Sequence, residues 1–154
     1  MKSIVELMIE LEGYEPYLYK CSGGYSTIGI GHKLTKSELS SGKIVIADML
    51  IKYDKGLTDE QIRQLLKQDL KKASDAVKYY VLPALSSNQR AALESFIFNI
   101  GREAFKTSTL RRRLNQGDYE SVPFEMLRWV YSAGKVDSGL ENRRRKEIEV
   151  WNGT

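Results

Sequence analysis

The sequence predicts a mainly α protein of the α+β class. Residues 17–34 combine strand-like residues with a strong turn signal. An apolar stripe at helical spacing starts after a capping sequence at residue 58 and fits a helix of about 20 residues. From residue 83 onward the pattern is helical to the end of the chain.

The N-terminal residues predict a short helix followed by a small antiparallel sheet. Apolar residues recur at helical spacing over residues 3–11 and a glycine ends the pattern, so Glu12 is predicted at a helix end. Residues 17–19 and 25–30 are strand-like, and a Ser-Gly-Gly turn signal separates them. Cys21 is therefore expected at the first turn of the sheet.

The remaining segments differ in how clearly they can be assigned. Residues 35–57 allow no firm prediction, since Ile44-Val45-Ile46 fits either a strand or a buried helix. Thr58 and Gln61 have the spacing of a capping box and start the long helix. Four later helices are predicted. One starts at Ser86-Ser87, one starts at Ser108-Thr109, and two more run through Trp129 and through Ile148.

These elements predict one domain, residues 1–154, made of three parts. Residues 1–57 form a small N-terminal α+β lobe, residues 58–80 a connecting helix, and residues 81–154 a helical C-terminal lobe. A cleft between lobes is the default place for a ligand.

Composition excludes several classes of function. The single cysteine and single histidine cannot build a disulfide or a zinc site from those residue types, so we expect no cofactor and no metal. The N-terminal residues lack the apolar core of a secretory signal, and we expect no membrane insertion. A net charge of +4 favours polyanions without selecting one.

Two basic clusters, residues 111–113 and 143–146, raise the possibility of nucleic-acid binding. Each lies on a predicted helix, so its members point in different directions, and no nucleic-acid motif accompanies them. Solvated helix faces or attraction to anionic wall polymers explain them better, and no nucleic-acid partner is expected.

Glu12 is the first candidate for chemistry. Hydrolysis of a glycosidic bond requires a protonated acid beside the leaving oxygen and a group on the opposite face that activates water or attacks the sugar. Three tyrosines, at positions 14, 17 and 25, could desolvate the Glu12 carboxyl and raise its pKa. Taken alone, a glutamate at a helix end is more commonly a solvated surface charge.

The context of Glu12 is the run EGYEPYLYKCSGGYSTIGIGH, residues 12–32. This run resembles the lysozymes of lambdoid and T-even phages, which have a Glu-Gly opening, then an aspartate, then a Thr-Ile-Gly-Tyr-Gly-His strand. Eight residues separate Glu12 from Cys21, and five separate Cys21 from Thr27. The resemblance continues at residues 58–69, 90–101, 108–110, 117–118, 128–129 and 139–144.

The resemblance implies a lysozyme-like fold and an endolysin that hydrolyses the β-1,4 bond from N-acetylmuramic acid to N-acetylglucosamine in bacterial peptidoglycan. It implies that Glu12 is the proton donor and that the Thr27 hydroxyl holds the attacking water. Around these residues it implies that Arg143 faces the glutamate, that His32 pairs with Asp69, and that substrate contacts come from Lys33, Phe98, Asn99 and Thr109.

Cys21 departs from the family pattern, which has an aspartate at this position. An unperturbed thiol is only a few per cent ionised at neutral pH, so the replacement removes most of the negative charge and basicity. Three interpretations remain open. The thiolate acts as base or nucleophile, the thiol fills space while Thr27 and water do the work, or the protein is an inactive relative.

Rival functions come from the same residues. Cys21 and His32 suggest a cysteine peptidase, but both lie in one hairpin, whereas a cysteine nucleophile generally meets a histidine from elsewhere in the fold. Two further rivals are a lytic transglycosylase, which relies on one glutamate, and an inactive wall-binding relative. For the endolysin we expect a monomer in the host bacterial cytoplasm that needs a separate holin to reach the wall.

Overall fold

The computed structural model describes residues 2–153. Its first element is a short helix, α1 (Ile4–Glu12), as the sequence predicts. Leu7 and Met8 are fully buried on its apolar face. Gly13 follows with φ +84°, which residues other than glycine rarely adopt. It ends the helix directly after Glu12.

A three-stranded antiparallel sheet follows, formed by β1 (Glu15–Lys20), β2 (Ser26–Gly29) and β3 (His32–Lys33) in that order. Tyr19 pairs with Thr27, and the register shifts between Glu15 and Tyr19. The chain reverses between β1 and β2, where the Cys21 N–H donates to the Tyr25 carbonyl over 2.9 Å. The predicted sheet, with Cys21 at its first turn, is confirmed.

Residues 35–57, for which the sequence allowed no firm prediction, form a short helix and a hairpin. These are α2 (Lys36–Ser41), β4 (Lys43–Ile46) and β5 (Met49–Lys52). Ile44 and Ile46 are buried while Val45 is exposed, so the ambiguous segment is a strand with one buried face. A two-residue turn, with positive φ at both positions, joins the strands.

The long helix α3 (Asp59–Tyr80) begins where the capping sequence predicts. The Thr58 N–H donates to Gln61 over 2.9 Å, and the Gln61 N–H donates to the Thr58 hydroxyl over 3.2 Å. Gln68, on an exposed turn of α3, bonds the backbone of the β4–β5 hairpin through both ends of its amide, at Ala47 and Val45.

The rest of the chain is mainly helical, with one short hairpin. Its elements are α4 (Ser87–Ile100), α5 (Arg102–Lys106), α6 (Thr109–Asn115), α7 (Val122–Met126), β6 (Tyr131–Ser132), β7 (Lys135–Val136) and α8 (Ser138–Trp151). Helix α4 packs on α8. Ser86 and Ser108 cap α4 and α6, as predicted.

Two expectations for this part of the chain are wrong. Trp129 lies outside any helix, because α7 ends at Met126 and a two-residue turn with positive φ at Ala133 and Gly134 folds the next residues into the β6–β7 hairpin. The cluster at residues 143–146 is not a solvated face, because Arg143 is 7% exposed and Arg144 is fully buried. A buried carboxylate on the same helix, Glu147, pairs with both arginines.

The structure confirms an α+β, mainly α fold. It comprises two compact units, the sheet unit (residues 8–71) and the helical unit (residues 2–7 and 72–153), and α3 contributes residues to both. Within residues 2–153, no helix is both long enough and apolar enough to cross a membrane.

Candidate active site

Cys21 and Thr27 meet at the turn of the β1–β2 hairpin. Cys21 is half-buried, and Thr27 is 2% exposed. The Thr27 hydroxyl has one proton, which it donates either to the Tyr25 carbonyl, 2.9 Å away, or to the Cys21 sulfur. The hairpin register therefore brings together two of the three predicted catalytic residues.

The surroundings of Cys21 favour its thiolate. The hydrogen bond with Thr27 has the largest effect and lowers the pKa of the Cys21 thiol, and backbone hydrogen bonds at Tyr25 and Gly23 lower this pKa further. Lys33 adds a smaller electrostatic effect in the same direction. At neutral pH the thiolate fraction is thus larger than for an ordinary cysteine.

Glu12 is held against the backbone of Gly31. A Cβ atom added to Gly31 would lie 2.7 Å from the Glu12 Cβ and 2.9 Å from its Oε2. Gly31 also has φ +70°, which a larger residue rarely adopts. Gly31, in the turn between β2 and β3, therefore leaves the space that the Glu12 side chain occupies.

Replacing Gly31 by alanine is expected to lower kcat by about 100-fold, because the added methyl group displaces the Glu12 carboxyl. Gly29→Ala is the matched control, since Gly29 has the same φ of +70° but its added Cβ would make only ordinary contacts with Ile62 and Leu65. Both variants are expected to lose about 1–2 kcal/mol of stability from backbone strain. Equal kinetic losses in the two variants would contradict a specific effect on Glu12.

His32 lies between two carboxylates in the sheet unit. Its Nδ1 is 2.8 Å from Asp69 Oδ2 on α3, and its Nε2 is 2.9 Å from Glu38 Oε1 on α2. Burial alone would lower the pKa of His32, but the hydrogen bonds and charges of Asp69 and Glu38 outweigh it and raise the pKa to about 9. His32 is therefore a cation that ties β3 to two helices.

This pairing makes stability depend on pH. The pKa of His32 is about 9 in the folded protein against 6.5 for an ordinary histidine, so its contribution is complete below pH 6.5 and lost as pH rises through 9. We expect a loss of ~3 kcal/mol over that range. Urea unfolding at the two ends of the range measures it, and Asp69→Asn should reduce the loss. An unchanged pH dependence in Asp69→Asn would count against the pairing.

Glu38 is a site residue that sequence reasoning missed. It accepts a hydrogen bond from the Thr35 N–H over 2.9 Å through the oxygen that also faces His32. Its own backbone N–H bonds the Thr35 hydroxyl. The Thr-x-x-Glu spacing of a capping box was the available signal, and it would have placed α2 as well.

The other predicted substrate contacts are divided between the two units. In the sheet unit, Lys33 is exposed, and its Nζ lies 4.7 Å from the centre of the Tyr25 ring. In the helical unit, Phe98 is half-buried and Asn99 exposed at the end of α4, while Thr109 begins α6.

Arg143 belongs to a buried polar cluster in the helical unit. Its guanidinium bonds Glu147 over 3.2 Å and both the carbonyl and the hydroxyl of Ser95 over 3.1 and 3.2 Å. Ser95 in turn donates to Glu147 over 2.5 Å. Arg144 bonds Glu147 and Asn99, which makes it a second functional candidate that the sequence pattern did not identify.

Comparison with known proteins identifies the family. A model of the family described as Phage lysozyme matches residues 9–147. The endolysin of Salmonella phage P22 is 38% identical over 138 residues, which is 88% of this chain and 86% of the relative. The SAR-endolysin of Escherichia phage Mu is 34% identical over 145 residues, 94% of this chain and 76% of the relative.

Solved structures agree with this assignment. A P22 lysozyme mutant aligns with a TM-score of 0.76 at 31% identity and covers 99% of both chains. The muramidase domain of SpmX from Asticaccaulis excentricus aligns with a TM-score of 0.73 at 30% identity, over 96% of this chain and 93% of that one. The predicted lysozyme-like fold is confirmed.

The chain belongs to the phage lysozyme family. It is a glycosidase of the lysozyme type, a phage endolysin that hydrolyses bacterial peptidoglycan.

Proposed function

We propose that this lysozyme cleaves the β-1,4 bond from N-acetylmuramic acid to N-acetylglucosamine. In this proposal Glu12 is the general acid, Thr27 holds the attacking water, and Cys21 is the base or nucleophile. The observation that carries the proposal is the Thr27–Cys21 contact in the same sheet unit whose Gly31 packs on Glu12. A proton donor and a polar pair that can bind water are the two parts that glycoside hydrolysis requires.

Thr27 suits the role of water holder. When its hydroxyl proton is committed to the Tyr25 carbonyl, 2.9 Å away, its oxygen is left as an acceptor. A water that donates one proton to this oxygen keeps a lone pair for the anomeric carbon. The second proton of the water can pass to the Cys21 thiolate, which the backbone hydrogen bonds at Tyr25 and Gly23 and the charge of Lys33 still favour while the Thr27 proton is on the Tyr25 carbonyl.

The complete step conserves protons. Glu12 donates a proton to the departing oxygen of N-acetylglucosamine while the water oxygen bonds to the anomeric carbon, and Cys21 takes the proton that the water loses. If Cys21 acts as base, the product is inverted. If its sulfur attacks the sugar and water later releases the thioglycoside, two displacements retain the configuration.

The remaining predicted residues take supporting roles in the proposal. Lys33, Phe98, Asn99 and Thr109 bind the glycan strand, and Arg143 positions Glu12. The burial of Arg143 and its bonds to Ser95 and Glu147 support a fixed guanidinium rather than a surface charge. His32 and Asp69 hold β3, and with it Gly31, in place.

The test is mass spectrometry of the soluble products from purified peptidoglycan. Reducing ends on N-acetylmuramic acid support hydrolysis at the proposed bond. Anhydro ends instead indicate a transglycosylase, cut peptide stems indicate the cysteine peptidase, and no products indicate a wall-binding relative. NMR of the products at the start of the reaction shows whether the anomeric configuration is inverted or retained. Inversion indicates that Cys21 acts as a base, and retention indicates that it acts as a nucleophile.

Access to the wall is part of the proposal. We infer that the protein is a monomer, accumulates in the bacterial cytoplasm and reaches peptidoglycan once a separate holin opens the membrane. Its relatives carry the names endolysin and SAR-endolysin, so the test must separate two modes of release. Lysis that requires co-expression of a holin supports the proposal, and lysis without one contradicts it.

A further inference from the structure

A second pocket in the helical unit is lined entirely by polar and charged residues. It has a volume of about 660 Å³ and lies where α5 ends and α6 exposes one of its faces. Three of the lining residues are cations, Lys106, Arg111 and Arg112, and the others carry hydroxyl or amide groups. The basic cluster that the sequence shows on α6 therefore borders a concave surface.

The cations of this pocket have no carboxylate to neutralise them. Within the described part of the chain, no aspartate or glutamate pairs with Lys106, Arg111 or Arg112. Arg113, the next arginine of α6, differs because it pairs with Glu125 over 3.4 Å and does not line the pocket. The positive charge of the pocket is thus left for a ligand to balance.

Arg111 is held in one orientation by backbone carbonyls. Its Nε donates to the Tyr80 carbonyl over 2.9 Å, and its Nη1 donates to the Lys106 carbonyl over 3.0 Å. The guanidinium also lies over the Tyr80 ring, 4.8 Å from the ring centre. Its Nη2 bonds no acceptor among the described residues, so a fixed cation borders the pocket with N–H groups still unpaired.

Two more cations lie against the same tyrosine ring. Lys106 Nζ is 5.7 Å from the centre of the Tyr80 ring, and the Arg102 guanidinium is 5.3 Å from it. Asp75 and Glu103 act on Arg102 through their charges, but neither forms an ion pair with it. Like charges this close repel one another, and a bound anion would offset that repulsion.

The donors around the pocket match a phosphate group. A tetrahedral phosphate presents oxygens in several directions, so it can accept from Lys106 on α5 and from the arginines of α6 at once. The Thr107 hydroxyl and the Gln116 amide are exposed beside these cations and can bond the hydroxyls of an adjoining sugar or polyol. A lipid surface is a poorer match, because every residue that lines the pocket is polar or charged.

We propose that this pocket binds a phosphodiester group of an anionic cell-wall polymer, with Lys106, Arg111 and Arg112 as its ligands. Such a contact holds the enzyme on the wall while the active site cuts glycan strands elsewhere. The inference goes beyond the proposed hydrolysis and does not depend on which residues perform it.

Titration with inorganic phosphate locates the site. At constant ionic strength, phosphate should shift the backbone NMR signals of residues 106–112 and the Nε–H signal of Arg111, whose donors surround the pocket. Chloride at the same ionic strength should leave them in place. Shifts spread evenly over the basic surface, or none at all, would overturn the proposal.

A charge-matched pair of double variants tests the ligands. Lys106→Gln with Arg112→Gln removes two exposed cations, and the Kd for poly(glycerol phosphate), measured by calorimetry, should rise about tenfold. Lys72→Gln with Lys135→Gln removes two exposed cations of the same unit that do not line the pocket, and Kd should stay within about twofold. Equal rises in the two double variants would mean that only net charge matters.

Vesicles of phosphatidylglycerol separate a polymer from a membrane, because they carry the same phosphodiester in a bilayer. Binding of the polymer without binding of the vesicles supports the proposal. Vesicle binding as tight as polymer binding, and lost in the same double variant, overturns the assignment to the wall. Calorimetry needs no turnover, so Glu12→Gln should bind the polymer with unchanged Kd, and a failure of the proposed catalysis stays distinguishable from a failure of this site.

Discussion

Glu12→Gln is expected to lower kcat by about 10²–10⁴-fold, the contribution typical of a positioned general acid. Glutamine fits the space beside Gly31 but has no acidic proton for the leaving oxygen. Because the change is isosteric, KM and the unfolding midpoint should change little. Initial rates on purified peptidoglycan, with circular dichroism of the purified variant, measure both effects.

Glu15→Gln is the matched control for this experiment. Glu15 lies on β1, three residues from Glu12, and its side chain is exposed. It carries the same charge, so this variant changes the electrostatic environment to a similar degree and should keep kcat within about twofold. A Glu12→Gln variant that retained more than about a tenth of the activity would remove Glu12 from the role of acid.

Cys21→Ala is expected to lower kcat by about 100-fold, and Cys21→Asp should restore most of the loss. The reason is that either a thiolate or a carboxylate can accept the proton of the water held at Thr27, and a methyl group cannot. With cysteine, activity should rise with pH as the thiol ionises, at a pH below the usual range for cysteine. With aspartate, this rise should move to acidic pH, because carboxyl groups ionise there.

The pH–rate profiles of native protein, Cys21→Ala and Cys21→Asp are therefore the measurement. Alkylation of Cys21, confirmed by mass, should inactivate the native protein and leave Cys21→Asp unaffected. Full activity in Cys21→Ala would instead mean that the thiol only fills space and that Thr27 with water suffices. Inactivity of all three proteins would leave the inactive wall-binding relative.

Much of the fold was predictable because local sequence signals decide it. A capping box at Thr58 starts α3, glycine ends α1, and the turn before Tyr25 reverses the chain in the first hairpin. Signals of this kind act over three or four residues, so they are readable without knowing what packs nearby. The candidate roles of Glu12, Cys21 and Thr27 came instead from the resemblance to phage lysozymes, which their spacing in the sequence carries.

The two segments that were not predicted have different causes. Ile44-Val45-Ile46 became a strand because one face is buried and because Gln68 on α3 bonds its backbone, so tertiary packing outweighs weak local propensity there. The β6–β7 hairpin has only exposed strand residues, and the local turn with positive φ at Ala133 and Gly134 forms it.

The sequence by itself determined the class of fold, the lysozyme family and the order of the candidate catalytic residues, because these reside in short motifs at fixed spacing. Only the tertiary structure decided that Arg144 is buried and bonded to Asn99, that Glu38 faces His32, and that Gly31 lies against Glu12. The physical reason is that burial and hydrogen-bond partners are properties of three-dimensional neighbours. From sequence alone, a charged residue in a helix is predicted to be solvated. Only the structure shows the carboxylate or amide that pairs with it when it is buried.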